Sequence, residues 1–181
     1  LIDVCFSPRN AERSWSAARH RSQKLSKLSI GVLGCSVTAG CGALSPSPQC
    51  SIPLSWGRQA HDVLAEGLRA RRIAVETTIY QKNAVEASYF FDCTHHLLPR
   101  RPDVVVLEVL QNMYAMNLST AFDRTVAAIR RVQPRAAILF AVWLKPHMLV
   151  PRVMMEVRAF AEANRVDLAE MPAAMKSLAL S

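Results

Sequence analysis

The stretch Leu28-Ser29-Ile30-Gly31-Val32-Leu33-Gly34-Cys35-Ser36-Val37-Thr38-Ala39-Gly40-Cys41-Gly42 decides how the rest of the chain is read. Ile30, Val32 and Leu33 form a short apolar run that ends in Gly34-Cys35-Ser36. The pattern predicts a buried strand that delivers a hydroxyl to a tight, glycine-flanked turn, as α/β enzymes do with a serine nucleophile at a strand end. Gly34 lets the backbone turn where a side chain would clash, and Gly40 lets the following segment pack closely. The bland alternative is an ordinary strand-to-helix loop with a capping serine.

Downstream of this turn the sequence alternates. Ala43–Pro53, rich in proline and serine, reads as an irregular loop. A helix follows over Leu54–Arg72, with Trp56, Ala60, Val63, Leu64, Gly67 and Leu68 at three-and-four spacing on one face. Its last turn carries Arg69, Arg71 and Arg72, where cations favour the helix dipole. Ile73–Tyr80 reads as a second strand, and Gln81–Ser88 as a loop running into a helix with Tyr89, Phe90, Phe91 and Leu97. Asp103–Leu110, DVVVLEVL, is a continuous apolar run interrupted by Glu108, the pattern of a parallel strand covered on both faces. A helix with Leu118, Phe122, Thr125, Val126 and Ile129 inward comes next, with Asn117 or Ser119 as its cap. Arg135–Trp143 is the fourth strand. The next helix, Pro151 to Asn164, starts on a proline suited to a first helical position and turns Val153, Met154, Val157, Phe160 and Ala161 inward. Val166–Leu168 is a candidate fifth strand, and Met171–Leu180 a short helical tail. Strands that alternate with helices in this way predict a three-layer α/β/α sandwich on a parallel sheet, with function gathered at the strand C-termini.

At 181 residues the chain is long enough for one domain with a real core, and 51% of it is hydrophobic, which argues against a disordered chain. No apolar run reaches the roughly 18 residues of a membrane-spanning helix. The formal net charge is +8, and residues 1–28 hold half of it, six basic side chains against Asp3 and Glu12. Such a basic leader, residues 1–27, is expected to be peripheral or disordered, or to touch an anionic membrane surface. No zinc-finger or RNA-binding signature supports nucleic acid as a partner. The five cysteines lack a CxxC pair and any metal-ligand rhythm, so no metal and no cofactor is expected. A Cys41–Cys50 disulfide would suit an oxidising compartment, while buried free thiols explain the count equally well. No secretory signal is visible, and the first residue is Leu rather than Met.

The strand ends, taken in order, resemble the SGNH hydrolases, the GDSL esterase/lipase superfamily. Gly34-Cys35-Ser36-Val37-Thr38-Ala39-Gly40 is similar to the first block of that family, with Cys35 where Asp is usual. Asn83-Ala84-Val85-Glu86-Ala87-Ser88 resembles the second block, with Glu86 where a glycine amide is expected. Val106-Leu107-Glu108-Val109-Leu110-Gln111-Asn112-Met113 resembles the third, with Leu110 in place of its glycine and Met113 in place of its Asp. The spacing of Trp56, Asn83, Ser88, Cys93 and Glu108 is similar to a divergent algal, fungal and plant branch, whose members often enter the secretory pathway. The likeness runs from Leu28 to Asn164.

The resemblance implies a flavodoxin-like sheet and a serine ester hydrolase acting on carboxylic esters, carbohydrate acetyl esters among them. Ser36 would be the nucleophile and, through its amide, an oxyanion donor. The Asn112 side chain would complete the oxyanion hole, and the backbone at Glu86 would supply the second-block donor. The last block of the family, Asp-x-x-His, has no match here. The last aspartate is Asp167, position 170 is Glu, and no histidine follows His147. His147 follows the fourth strand on the correct edge, beside Lys145 and Pro146. His61 falls inside a helix and His95-His96 near a helix end, so none stands where the base of the family does. Either the domain, residues 28–181, is incomplete at its C-terminus, or it is a degenerate member that binds an ester or sugar without hydrolysing it. A nucleotide-binding reading lacks both GxGxxG and GK[ST].

Overall fold

The computed structural model describes residues 26–35, 38, 55–81, 87–98, 102–108, 118–142 and 151–170. Strands and helices alternate along them. They are β1 (Lys27–Gly34), α1 (Trp56–Arg69), β2 (Ala74–Gln81), α2 (Ala87–Leu97), β3 (Val104–Glu108), α3 (Leu118–Val132), β4 (Ala137–Val142), α4 (Pro151–Ala163) and β5 (Asp167–Glu170). The five strands form one sheet in the order β2-β1-β3-β4-β5, and every neighbouring pair is parallel. The expected α/β sandwich is therefore the one observed, and the candidate fifth strand pairs along Leu139–Val142 of β4.

Alternation along the strands sorts side chains into two apolar layers, because successive residues of a strand point to opposite faces. Leu33, Val105, Leu107, Ile138, Phe140 and Val142 enter one layer with Phe90 of α2, Phe122, Val126 and Ile129 of α3, and Val157 of α4. Ile30, Val32, Val106 and Ala141 enter the other, where Trp56 and Leu64 of α1 pack. Phe122 is the hub of the larger layer, edge-on to Phe140 at 4.6 Å between centroids and tilted against Phe160 at 5.6 Å. The apolar run Val104–Leu107 of β3, interrupted by Glu108, is covered on both faces as the pattern predicts.

The inward face of α1 needs correction. Val63 is 70% exposed and Gly67 faces open space, whereas Gly57 is buried. The helix lies on Val32 and Ile79 through Gly57, against which Ile79 Cδ1 would stand 3.2 Å from an added Cβ. At about 100° per residue, Val63 is carried about 120° round the helix from Gly57 and leaves the contact. Ser55 caps α1, its side chain accepting from the Arg58 amide at 3.3 Å.

Two connections into strands turn on left-handed arginines, Arg72 (φ 56°) and Arg165 (φ 51°). After α4 the Val166 amide donates back to the Ala161 carbonyl at 2.9 Å, the closing bond of a Schellman-type helix end. Arg130 Nη2 of α3 donates to the Asn164 carbonyl of the same turn at 2.6 Å and ties α3 to α4. Among the described residues no helix is long and apolar enough to cross a membrane.

Candidate active site

Register sets where the strands stop. Gly34, the last residue of β1, pairs with Gln81, the last of β2, and with Glu108, the last of β3. These three ends meet side by side at one edge of the sheet. By strand parity Gly34 and Glu108 belong to the face that α1 covers.

Glu108 is fully buried, and its contacts define the site. The Cys35 amide donates to the Glu108 carbonyl at 3.2 Å and lies 3.4 Å from the carboxyl Oε2. The Cys35 thiol lies 3.3 Å from Oε2 and 3.5 Å from Oε1. Thr38, also fully buried, donates its hydroxyl to Oε2 at 2.8 Å. One carboxyl thus holds two residues that bracket Ser36 in the chain. Burial pushes the Glu108 carboxyl above its ordinary value of 4.5; the hydrogen bonds from Thr38 and Cys35 pull the other way but do not cancel it. Glu108 forms no ion pair with a cation among the described salt bridges.

Gly34 is required here by contact. A Cβ on it would stand 1.8 Å from Thr38 Oγ1 and 2.4 Å from Thr38 Cβ. The absence of a side chain lets Thr38 fold back over the strand end and reach Glu108. Beside it, the buried Oε1 of Gln81 has no hydrogen-bond partner among the described residues.

Ser36, Glu86, Asn112 and His147 lie outside the described residues, as do residues 1–25, the Cys41–Cys50 pair and the tail from Met171. Topology places their segments as follows. Ser36 follows Cys35 at the end of β1, Glu86 lies between β2 and α2, Asn112 between β3 and α3, and His147 between β4 and α4. Each is in a segment that leaves a strand C-terminus. The described histidines are elsewhere. His61 Nδ1 lies 2.9 Å from Thr77 Oγ1, and Thr77 pairs with Ile30, four residues short of Gly34. His95 and His96 are exposed in the last turn of α2, which leads to the start of β3 at the opposite edge. Asp167 pairs with Leu139 in the body of the sheet, level with Val32 and about 7 Å short of the Gly34 edge at about 3.3 Å per residue. Among the described residues no group of three or more His, Cys, Asp or Glu side chains could hold a metal ion.

Sequence reading found the turn but gave Glu108 no role in it. The available signal was a lone carboxylate inside an otherwise apolar strand, a residue type that is buried only when something holds it.

The sequence matches no protein-family model and no curated protein. The fold is similar to that of a two-domain esterase active on acetylated mannans, with a TM-score of 0.71 and 14% identity over 92% of this chain and 45% of that one. It is similar to TesA, with a TM-score of 0.57 and 17% identity over 77% of this chain and 76% of that one. A family two carbohydrate esterase from Clostridium thermocellum, solved in complex with cellohexaose, gives 0.59 and 16% over 80% of this chain and 54% of that one. The chain therefore spans less than half the length of the two-domain mannan esterase. At these identities the likeness is one of fold, and the chain has the five-stranded parallel α/β fold of the SGNH-type esterases.

Proposed function

We propose that the chain is an SGNH-type ester hydrolase with Ser36 as its nucleophile, acting on carboxylic esters and in particular on acetylated carbohydrate. The observation that carries the reading is the end of β1. A strand of a parallel sheet, in a fold similar to that of solved esterases, runs into a glycine-led turn whose two flanks, Cys35 and Thr38, are held by one buried carboxyl. In this reading the two held flanks position the serine between them for nucleophilic attack.

In this reading Ser36 Oγ attacks the ester carbonyl, the ester C–O bond breaks and the alcohol leaves with the serine proton, and water then hydrolyses the acyl-serine to release the acid and restore the hydroxyl. The Ser36 amide, the Asn112 side-chain amide and the backbone near Glu86 donate to the developing oxyanion, each such donor being worth about 3 kcal/mol of barrier. His147, leaving β4, is the histidine whose segment starts at the same edge. A substrate class of acetylated glycans is supported by the neighbours, one active on acetylated mannans and one bound to cellohexaose.

Acetate release from an acetylated manno-oligosaccharide tests the reading: turnover by the chain, abolished in Ser36→Ala, is expected. A second reading, a domain that binds the same ester without turnover, is favoured by Met113 and Glu86, which stand where the resembling blocks carry an Asp and a glycine amide. Saturable binding with no acetate released would select it.

A further inference from the structure

Glu108 occupies the last position of the most buried strand, where an apolar side chain would avoid the cost of burying a carboxyl. What its carboxyl touches is the turn and nothing else among the hydrogen bonds of the described residues. Thr38 Oγ1 at 2.8 Å and Cys35 Sγ at 3.3 Å both converge on Oε2, while the Cys35 amide is anchored on the carbonyl of the same residue. Gly34 completes the arrangement, since any side chain there would displace Thr38. We propose that Glu108 is the positioning residue of this turn: reaching from β3, its carboxyl fixes Cys35 and Thr38 together and so sets the backbone that carries Ser36. The purpose of that positioning rests on the ester-hydrolase reading; the clamp itself does not.

The clamp is built of hydrogen bonds, from the Thr38 hydroxyl at 2.8 Å and the Cys35 thiol at 3.3 Å, and burial raises the carboxyl above its ordinary value. Two consequences follow. Glutamine, which keeps the shape and can still accept from Thr38, preserves it. Methionine, which fills the same space without a polar atom, leaves a packed strand end but no clamp, and relieves the burial of a polar group.

The test compares the 181-residue chain with Glu108→Gln and Glu108→Met by thermal unfolding, hydrogen exchange of the peptide covering Gly34–Thr38, and the rate at which a fluorophosphonate labels Ser36. The expected result is a folded Glu108→Met protein in which exchange of this peptide is faster by roughly tenfold or more while α3 is unchanged. Phosphonate labelling falls by roughly a hundredfold, and Glu108→Gln restores both. A folded Glu108→Met protein with the exchange and labelling of the parent overturns the proposal and leaves the esterase reading standing. A parent that takes no phosphonate at Ser36 overturns the esterase reading, and the exchange comparison still decides the clamp. If Glu108→Met does not fold, Thr38→Val removes the hydroxyl alone: faster exchange of the peptide supports the clamp, and unchanged exchange overturns it.

Discussion

Gly34→Ala attacks the turn at its tightest point. The new methyl would stand 1.8 Å from Thr38 Oγ1, 2.4 Å from its Cβ and 2.8 Å from its Cγ2. Non-bonded carbons settle near 3.5–4 Å, so the Thr38 side chain would have to retreat by about 1 Å or more. It has nowhere to go without breaking something, being fully buried and bonded to Glu108 at 2.8 Å. Overpacking of this kind costs about 1–3 kcal/mol. Stripping Thr38 from a buried carboxyl adds about 1–3 kcal/mol more. The sum, about 2–6 kcal/mol, lowers the melting temperature of a chain of this size by about 5–20 °C. Urea unfolding followed by circular dichroism and by tryptophan fluorescence measures it, with coincident transitions as the check on two-state behaviour. Adding Thr38→Gly to Gly34→Ala removes the atoms that clash, so the two changes should couple by about 1–3 kcal/mol. A Gly34→Ala protein as stable as the parent would refute the close approach of Thr38 to the strand end.

Gly67→Ala is the contrasting case, since nothing lies within 4 Å of the added Cβ on the exposed side of α1; it should stabilise by about 0.5–1 kcal/mol in the same assay. Phe122→Ala removes the hub that contacts Phe140 and Phe160 and should cost about 3–5 kcal/mol in urea unfolding. The raised value of Glu108 gives a definite pH dependence. The folded chain keeps this proton to higher pH than the unfolded chain, so folding takes one up between the ordinary value of 4.5 and the folded one. Its contribution is most favourable below that window and is lost as pH rises through the folded value. Relative to Glu108→Gln, the parent should therefore lose stability as pH rises, and a difference that is flat with pH contradicts the assignment. Arg165→Gly relieves a left-handed residue at the end of α4 and should stabilise by about 1 kcal/mol by thermal unfolding.

The fold was legible because β4 is apolar throughout and β3 apolar up to Glu108, a pattern that suits a doubly covered parallel strand, and because the intervening helices carry their own periodicity. The one misplaced face, Val63 on α1, shows the limit of that signal. Spacing alone admits several stripes on a short helix, and the contact of Gly57 with Val32 and Ile79, a backbone approach, decides among them. In the site, the turn at Gly34 could be read from the sequence because turns are local. The role of Glu108 could not, because its partners Cys35 and Thr38 are 73 and 70 residues away and only the parallel register of β1 on β3 brings them together.

Labelling of the full-length protein with a fluorophosphonate, with the adduct located by peptide mass spectrometry, is the measurement on which the esterase reading turns. A single adduct on Ser36, absent from Ser36→Ala and slowed by an acetylated oligosaccharide, is predicted. No adduct on Ser36 under conditions where the chain is folded, or labelling unchanged in Ser36→Ala, would contradict it.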